Sequence, residues 1–222
     1  MGAEPPSMAI RSVLTSTLIV ATFLSLQSCK WLSRQNAKID KLSPTGAYRV
    51  KFESTVEDTD RFMGFHEWGS VQYFKGAETI YSHKWDYSDS MEDTVMGMHE
   101  NATWLADNIL FMGGNRSAAV QPTDEITISN TTIEHLDYVT VSLAKYSHIA
   151  VFDLPAAAEI KVRVPQIMDW RLREGEIKWS FGFRGGTRSK REFAGARSGS
   201  QRSAGPTETA NVFLTITEGD FR

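Results

Sequence analysis

From Ser43 onward, apolar residues recur at every second position in short runs separated by turn residues. That period puts alternate side chains on opposite faces of an extended chain, as in a strand with one buried face. The pattern predicts strands over Ala47–Ser54, Trp68–Lys75, Glu78–Asp86, Asn108–Met112, Glu125–Ser129, His135–Leu143, His148–Leu154, Glu159–Val164, Glu176–Arg184 and Asn211–Thr217. Glycines at Lys75-Gly76-Ala77, Gly113-Gly114-Asn115 and Arg173-Glu174-Gly175 supply the turns between them. No segment of the body keeps apolar residues at i, i+3, i+4 and i+7, so the expected fold is all-β, an antiparallel β-sandwich of about ten short strands. One short helix is expected within Met91–Trp104.

Within the body, the turn Asn130-Thr131-Thr132, the strands around Tyr138–Val141 and Val151–Leu154, Pro155, and the alternating Glu159–Val164 follow one another over about forty residues. This run resembles the generic body of an immunoglobulin-like sandwich. The resemblance implies an architecture for the C-terminal half. It lacks the paired cysteines and intervening tryptophan of immunoglobulin domains and implies no activity.

The first thirty residues follow a different pattern. Arg11 closes a short polar region, and Val13–Leu26 is almost unbroken apolar sequence. Fourteen residues are fewer than the about 20 that a spanning helix needs, and fit the roughly 7–15 of a secretory signal core. Leu26, Gln27, Ser28 and Cys29 follow directly, and resemble the lipobox of bacterial lipoprotein signal peptides. The resemblance implies cleavage before Cys29 and lipid on its sulfur. Cys29 is also the only cysteine in 222 residues, so it has no intramolecular disulfide partner. The expected organisation is a signal peptide at 1–28, a lipidated cysteine and basic tether at 29–43, an N-terminal β half at 44–120, and an immunoglobulin-like β half at 121–222. Lys30 in place of the aspartate of inner-membrane retention points to the outer membrane. The sequons at Asn101, Asn115 and Asn130 would be glycan acceptors in a eukaryotic secreted chain. A secreted domain of that origin would also carry disulfides, which this chain cannot form, so the bacterial reading stands.

Charge adds two features. The tether carries Lys30, Arg34, Lys38 and Lys41 against Asp40, with Trp31 beside them, a composition suited to a membrane surface. Gly185–Ala210 is rich in Gly, Ser and Ala and carries Arg188, Lys190, Arg191, Arg197 and Arg202 against Glu192 and Glu208. It reads as a flexible basic loop that contacts an anionic surface or an envelope protein. A net charge of −3 argues against a nucleic-acid partner.

Catalytic templates fail. His66-Glu67 and His99-Glu100 lack the second histidine of a zinc-protease helix, and no serine elbow or phosphate loop exists. Asp86, Asp89, Glu92 and Asp93 are the densest acids, but they have neither the alternate spacing nor the glycine of a calcium loop. No metal and no cofactor are therefore expected. A hairpin with Gly76-Ala77 as a two-residue turn would place Trp68 opposite Trp85, Ser70 opposite His83 and Gln72 opposite Tyr81, all on one face. Trp68, Tyr81, His83 and Trp85 are accordingly the candidate binding face. The functional expectation is a non-catalytic, membrane-anchored binding or structural module; the alternatives are a carbohydrate-binding module and an envelope hydrolase working through its carboxylates.

Overall fold

The computed structural model describes residues 34–60, 64–90, 101–113, 122–143, 147–165, 175–202 and 208–222. They form the strands β1 (Arg34–Leu42), β2 (Tyr48–Asp60), β3 (Gly64–Lys75), β4 (Glu78–Ser90), β5 (Asn101–Ala106), β6 (Ile109–Gly113), β7 (Pro122–Asn130) and β8 (Leu136–Ser142). The chain continues through β9 (Ser147–Leu154), β10 (Glu159–Pro165), β11 (Glu176–Thr187), β12 (Glu192–Arg202), β13 (Asn211–Ile216) and a 3-10 turn at Glu218–Asp220. The fold is all-β, and each of the ten expected strands falls on one of these.

Three sheets result, with strand orders β1-β2-β3-β4, β12-β11-β8-β9-β6-β5 and β10-β7-β13. Their pairing is antiparallel except for β13, which runs parallel to β7. The six-stranded sheet lies in the middle, and its strands β8, β9 and β6 contribute buried residues on both faces. Ile149, Val151, Val139 and Val141 point into a core shared with Ile126, Ile128, Val212 and Leu214 of the three-stranded sheet. Ala150, Phe152, Leu110 and Met112 point the other way, into a second core with Val50, Phe52, Val71 and Tyr73 of the four-stranded sheet. The alternation of a strand thus serves two cores at once, and Ile149–Phe152 are all buried. Because β5 and β6 join this sheet, the expected boundary near residue 120 separates strands that share a single hydrogen-bonded sheet.

Three segments depart from expectation. The tether is a strand from Arg34: β1 pairs with β2 over its whole length, burying Ile39 and half-burying Ala37. Two inward apolar residues are too few to show as a period, and the outward side is held by Lys38–Glu53 (2.7 Å) and Arg49–Asp40 (2.6 Å) pairs. The expected helix is replaced over Asn101–Trp104 by β5, and residues 91–100 lie outside those described.

The third correction concerns the flexible basic loop. Gly185–Thr187 complete β11, Glu192–Arg202 form β12, and the two strands pair without a break from Glu176↔Arg202 to Gly186↔Glu192. The expected pairing of the Glu176–Arg184 strand with Asn211–Thr217 does not occur, since β13 pairs with β7. Residues 203–207 lie outside those described; in the rest of the segment the glycines that suggested flexibility each face an aromatic ring across the ladder. Gly199 faces Trp179, Gly195 faces Phe183, and Gly185 faces Phe193; an added Cβ at Gly199 or Gly195 would lie 2.7 Å from the opposite ring. Each ring lies over the bare glycine, so small residues here make room for large ones.

A candidate binding groove between two sheets

The β3–β4 hairpin determines which side chains meet. Its turn is where the sequence places it, with Lys75↔Glu78 and Phe74↔Thr79, but Ile80 is then an extra residue and pairing resumes at Tyr73↔Tyr81. This bulge shifts the register by one, so Gly69 faces Trp85 and Val71 faces His83. Tyr81, His83 and Trp85 therefore share the inner face, while Trp68 lies on the outer one. The expected four-residue face is split, because hydrophobic burial of the β4 aromatics outweighs the simple arithmetic of a two-residue turn.

On the inner face, Tyr73, Tyr81, His83, Trp85 and Phe52 form a ladder of stacked rings at successive centroid distances of 5.4, 6.4, 6.2 and 5.6 Å. At one end Trp85 Nε1 donates to the buried carboxylate of Glu67 (3.1 Å), which also accepts from Ser54 Oγ (2.8 Å). Trp68 is half-buried on the outer face, tilted against His66 (4.8 Å between centroids), whose Nε2 lies 2.6 Å from Asp86 Oδ1. Of the acidic cluster, Asp86 is thus paired on an exposed sheet face; Glu92 and Asp93 lie outside the described residues.

β4 is an edge strand, and beyond it the central sheet is uncovered. The step between the sheets forms an open groove of about 580 Å3. Tyr81 and His83 make one wall. The floor is built from two cross-strand rows, Thr140–Arg184–Ala194 and Ser142–Gly182. Arg184 Nη1 donates to Tyr81 Oη at 3.3 Å, linking floor to wall, and Tyr138 packs on Tyr81 at 4.9 Å. Burial and then the charge of Arg184 lower the pKa of His83. The same two causes hold His148 down at about 4, so it is neutral at pH 7.

Ser142 Oγ and His148 Nδ1 are 3.1 Å apart at the groove floor. This pair has the spacing of a nucleophile and its base, but an imidazole held near 4 is a poor acceptor for a serine proton at neutral pH. The two are direct cross-strand neighbours, and the contact is accounted for by that register.

A second polar cluster lies at the far end of the hairpin. Asp153 Oδ2 accepts from Tyr48 Oη (2.5 Å) and Lys75 Nζ (2.5 Å), and its Oδ1 from His135 Nε2 (3.0 Å). Burial opposes ionisation, yet the bonds from Lys75, Tyr48 and His135 prevail and hold the carboxyl down at about 2. His135, Asp137 and Asp153 bring donor atoms within 4.8 Å of one another, as a cation site would. Lys75 at Asp153, and Arg188 at 3.7 Å from both carboxylates, already balance the two acids, so a metal does not suit this charge.

The basic residues of the β11–β12 hairpin are largely engaged. Arg188 joins that cluster, Arg191 pairs with Glu134 and stacks on Phe221, and Arg197 pairs with Asp220 (2.7 Å) and lies over Phe183. Lys190 and Arg202 are exposed, with no ion pair among the described residues. The sequon residue Asn130 is buried: its Nδ2 donates to the carbonyls of Glu134, Leu154 and Pro155, and its Oδ1 accepts from Thr132. Its role is to tie the β7–β8 turn to the end of β9. Sequence reasoning found Tyr81 and His83 but missed Arg184, Thr140 and Ser142, because nothing local marks a strand whose outer face a neighbouring sheet leaves bare. Cys29 lies outside the described residues. Comparison with protein-family models, with curated proteins and with solved structures finds no match to this chain.

Proposed function

We propose that this chain is an exported bacterial lipoprotein, anchored through Cys29 in the envelope's outer membrane, whose β body is a non-catalytic binding module. The observation that carries the binding reading is the groove, with a ring-lined wall, a floor of small residues and one arginine tied across it. A weak base beside Ser142 and charge-balanced acids at Asp153 supply no acid–base pair for hydrolysis, which favours binding over the hydrolase alternative. The C-terminal half, read as immunoglobulin-like, serves as the frame that presents the groove. Lipid attachment and binding are tested separately. Cys29→Ser should abolish incorporation of labelled fatty acid and leave the precursor uncleaved; normal maturation of that variant would refute the anchor. Solubilised envelope polysaccharide and wall fractions, added to the isotope-labelled mature protein in detergent, should shift resonances of Tyr81, His83, Tyr138 and Arg184. Shifts confined to other surfaces would move the binding site elsewhere.

A further inference from the structure

We infer that the ligand of the groove is a carboxylate-bearing sugar chain, an inference that rests on the binding reading above. The floor strands β8 and β11 are paired on both sides, and β12 is paired with β11 along its inner edge, so the backbone groups of the floor between them are spent in the ladder. Away from the outer edge of β12, recognition on the floor runs through side chains. Those present are hydroxyls at Tyr81, Tyr138, Thr140 and Ser142, a neutral imidazole at His83, and the guanidinium of Arg184. Hydroxyls and imidazole exchange hydrogen bonds with polyhydroxylated rings, and the faces of Tyr81 and His83 match the apolar faces of such rings. Gly182 and Ala194 keep the floor low enough for a flat chain to lie on it. Arg184 is the feature a neutral sugar leaves unused. Its fork takes a carboxylate with two parallel bonds, and Tyr81 Oη already orients it. The groove's other charged side chains, Glu192 and Arg222, offset each other, so Arg184 gives it a net positive charge complementary to an acidic sugar.

The test is calorimetric titration of the mature lipoprotein in detergent with three probes of equal length: oligogalacturonate, a neutral glucan and polyglutamate. Oligogalacturonate should bind, and its affinity should fall as salt rises, because exposed charges are screened within about 8 Å at physiological ionic strength. Arg184→Gln should weaken it about tenfold, the scale of one lost charge-assisted contact, and leave the melting temperature unchanged. Ala194→Trp, which fills the groove from a half-buried floor position, should abolish binding in a folded protein. Equal binding of the neutral glucan, or no effect of Arg184→Gln, would overturn the acidic-sugar inference and leave the groove reading standing. Stronger binding of polyglutamate would replace it with a peptide lying along the free edge of β4. Failure of all three probes, with no groove shifts from envelope fractions, would overturn both readings.

Discussion

Asp153 adopts φ of +53°, a left-handed conformation that costs most side chains energy and that Asn and Asp tolerate best. Asp153→Asn therefore changes charge with little change in backbone strain. Since the folded carboxyl titrates near 2 and the unfolded one near 3.8, the ionised form stabilises the fold above pH 4, and that stability is lost as pH falls toward 2. With the side chain partly exposed, the contribution is about 1–2 kcal/mol. Denaturant unfolding at pH 6 should show Asp153→Asn weaker by that amount, with the difference closing by pH 2. His148 acts in a higher window. Its folded pKa near 4 lies below the ordinary 6.5, so the neutral form stabilises the fold above pH 6.5 and stability is lost as pH falls from there toward 4. His148→Gln should flatten the melting temperature across that range, which thermal scans at half-unit steps would reveal. The glycines divide similarly by what surrounds them. A Cβ at Gly185 would meet the Tyr138 carbonyl at 2.5 Å as well as the Phe193 ring, and backbone cannot yield. At Gly199 it would meet only the Trp179 ring, which is half-buried and can move. Gly185→Ala should cost several times what Gly199→Ala costs, at most about 1 kcal/mol for the latter, by the same unfolding measurement.

At the scale of the element, β12 shows why a strand can read as a loop. Its inward positions are Phe193, Gly195, Arg197 and Gly199, so three of four carry no apolar side chain of their own, and the apolar surface comes from Phe183 and Trp179 opposite. The hydrophobic pattern of such a strand is written on its partner. The same physics hides β1, whose inward apolar residues are few, whereas β8 and β11 alternate and β9 is a continuous apolar run, and all three were legible from sequence alone. Site geometry was less legible still, because a single bulged residue, Ile80, decides which face the β4 aromatics take, and bulges have no sequence mark beyond the burial they permit. Deletion of Ile80 should leave Tyr73 opposite Tyr81, since it removes only the extra residue; cross-strand nuclear Overhauser contacts between those rings would persist. Phe193→Ala, in contrast, should destabilise by about 3–5 kcal/mol in chemical denaturation, because the ring is 1% exposed and fills the space above Gly185. A merely flexible loop would show no such loss.

Across the whole molecule, the two cores meet at one sheet, so neither outer layer can detach without uncovering it. The amides of Ile149–Phe152 should exchange with solvent only through global unfolding, and exchange measured by mass spectrometry should place β9 among the slowest segments. The early start of β1 has a mechanical consequence for an anchored molecule. Between Cys29 and Arg34 lie only Lys30–Ser33, a reach of about 17 Å even when fully extended. If Cys29 carries lipid as proposed, the start of β1 is held within that reach of the bilayer. Arg34 pairs with Glu57, in line with His66 and Ser88, which makes that end of the four-stranded sheet the foot. Tyr81 and His83 sit some five to seven residues up β4 from Ser88, about 16–23 Å along the strand. On the lipoprotein reading proposed above, the groove would stay within a few nanometres of the headgroups and meet polymer of that layer rather than the bulk of the compartment.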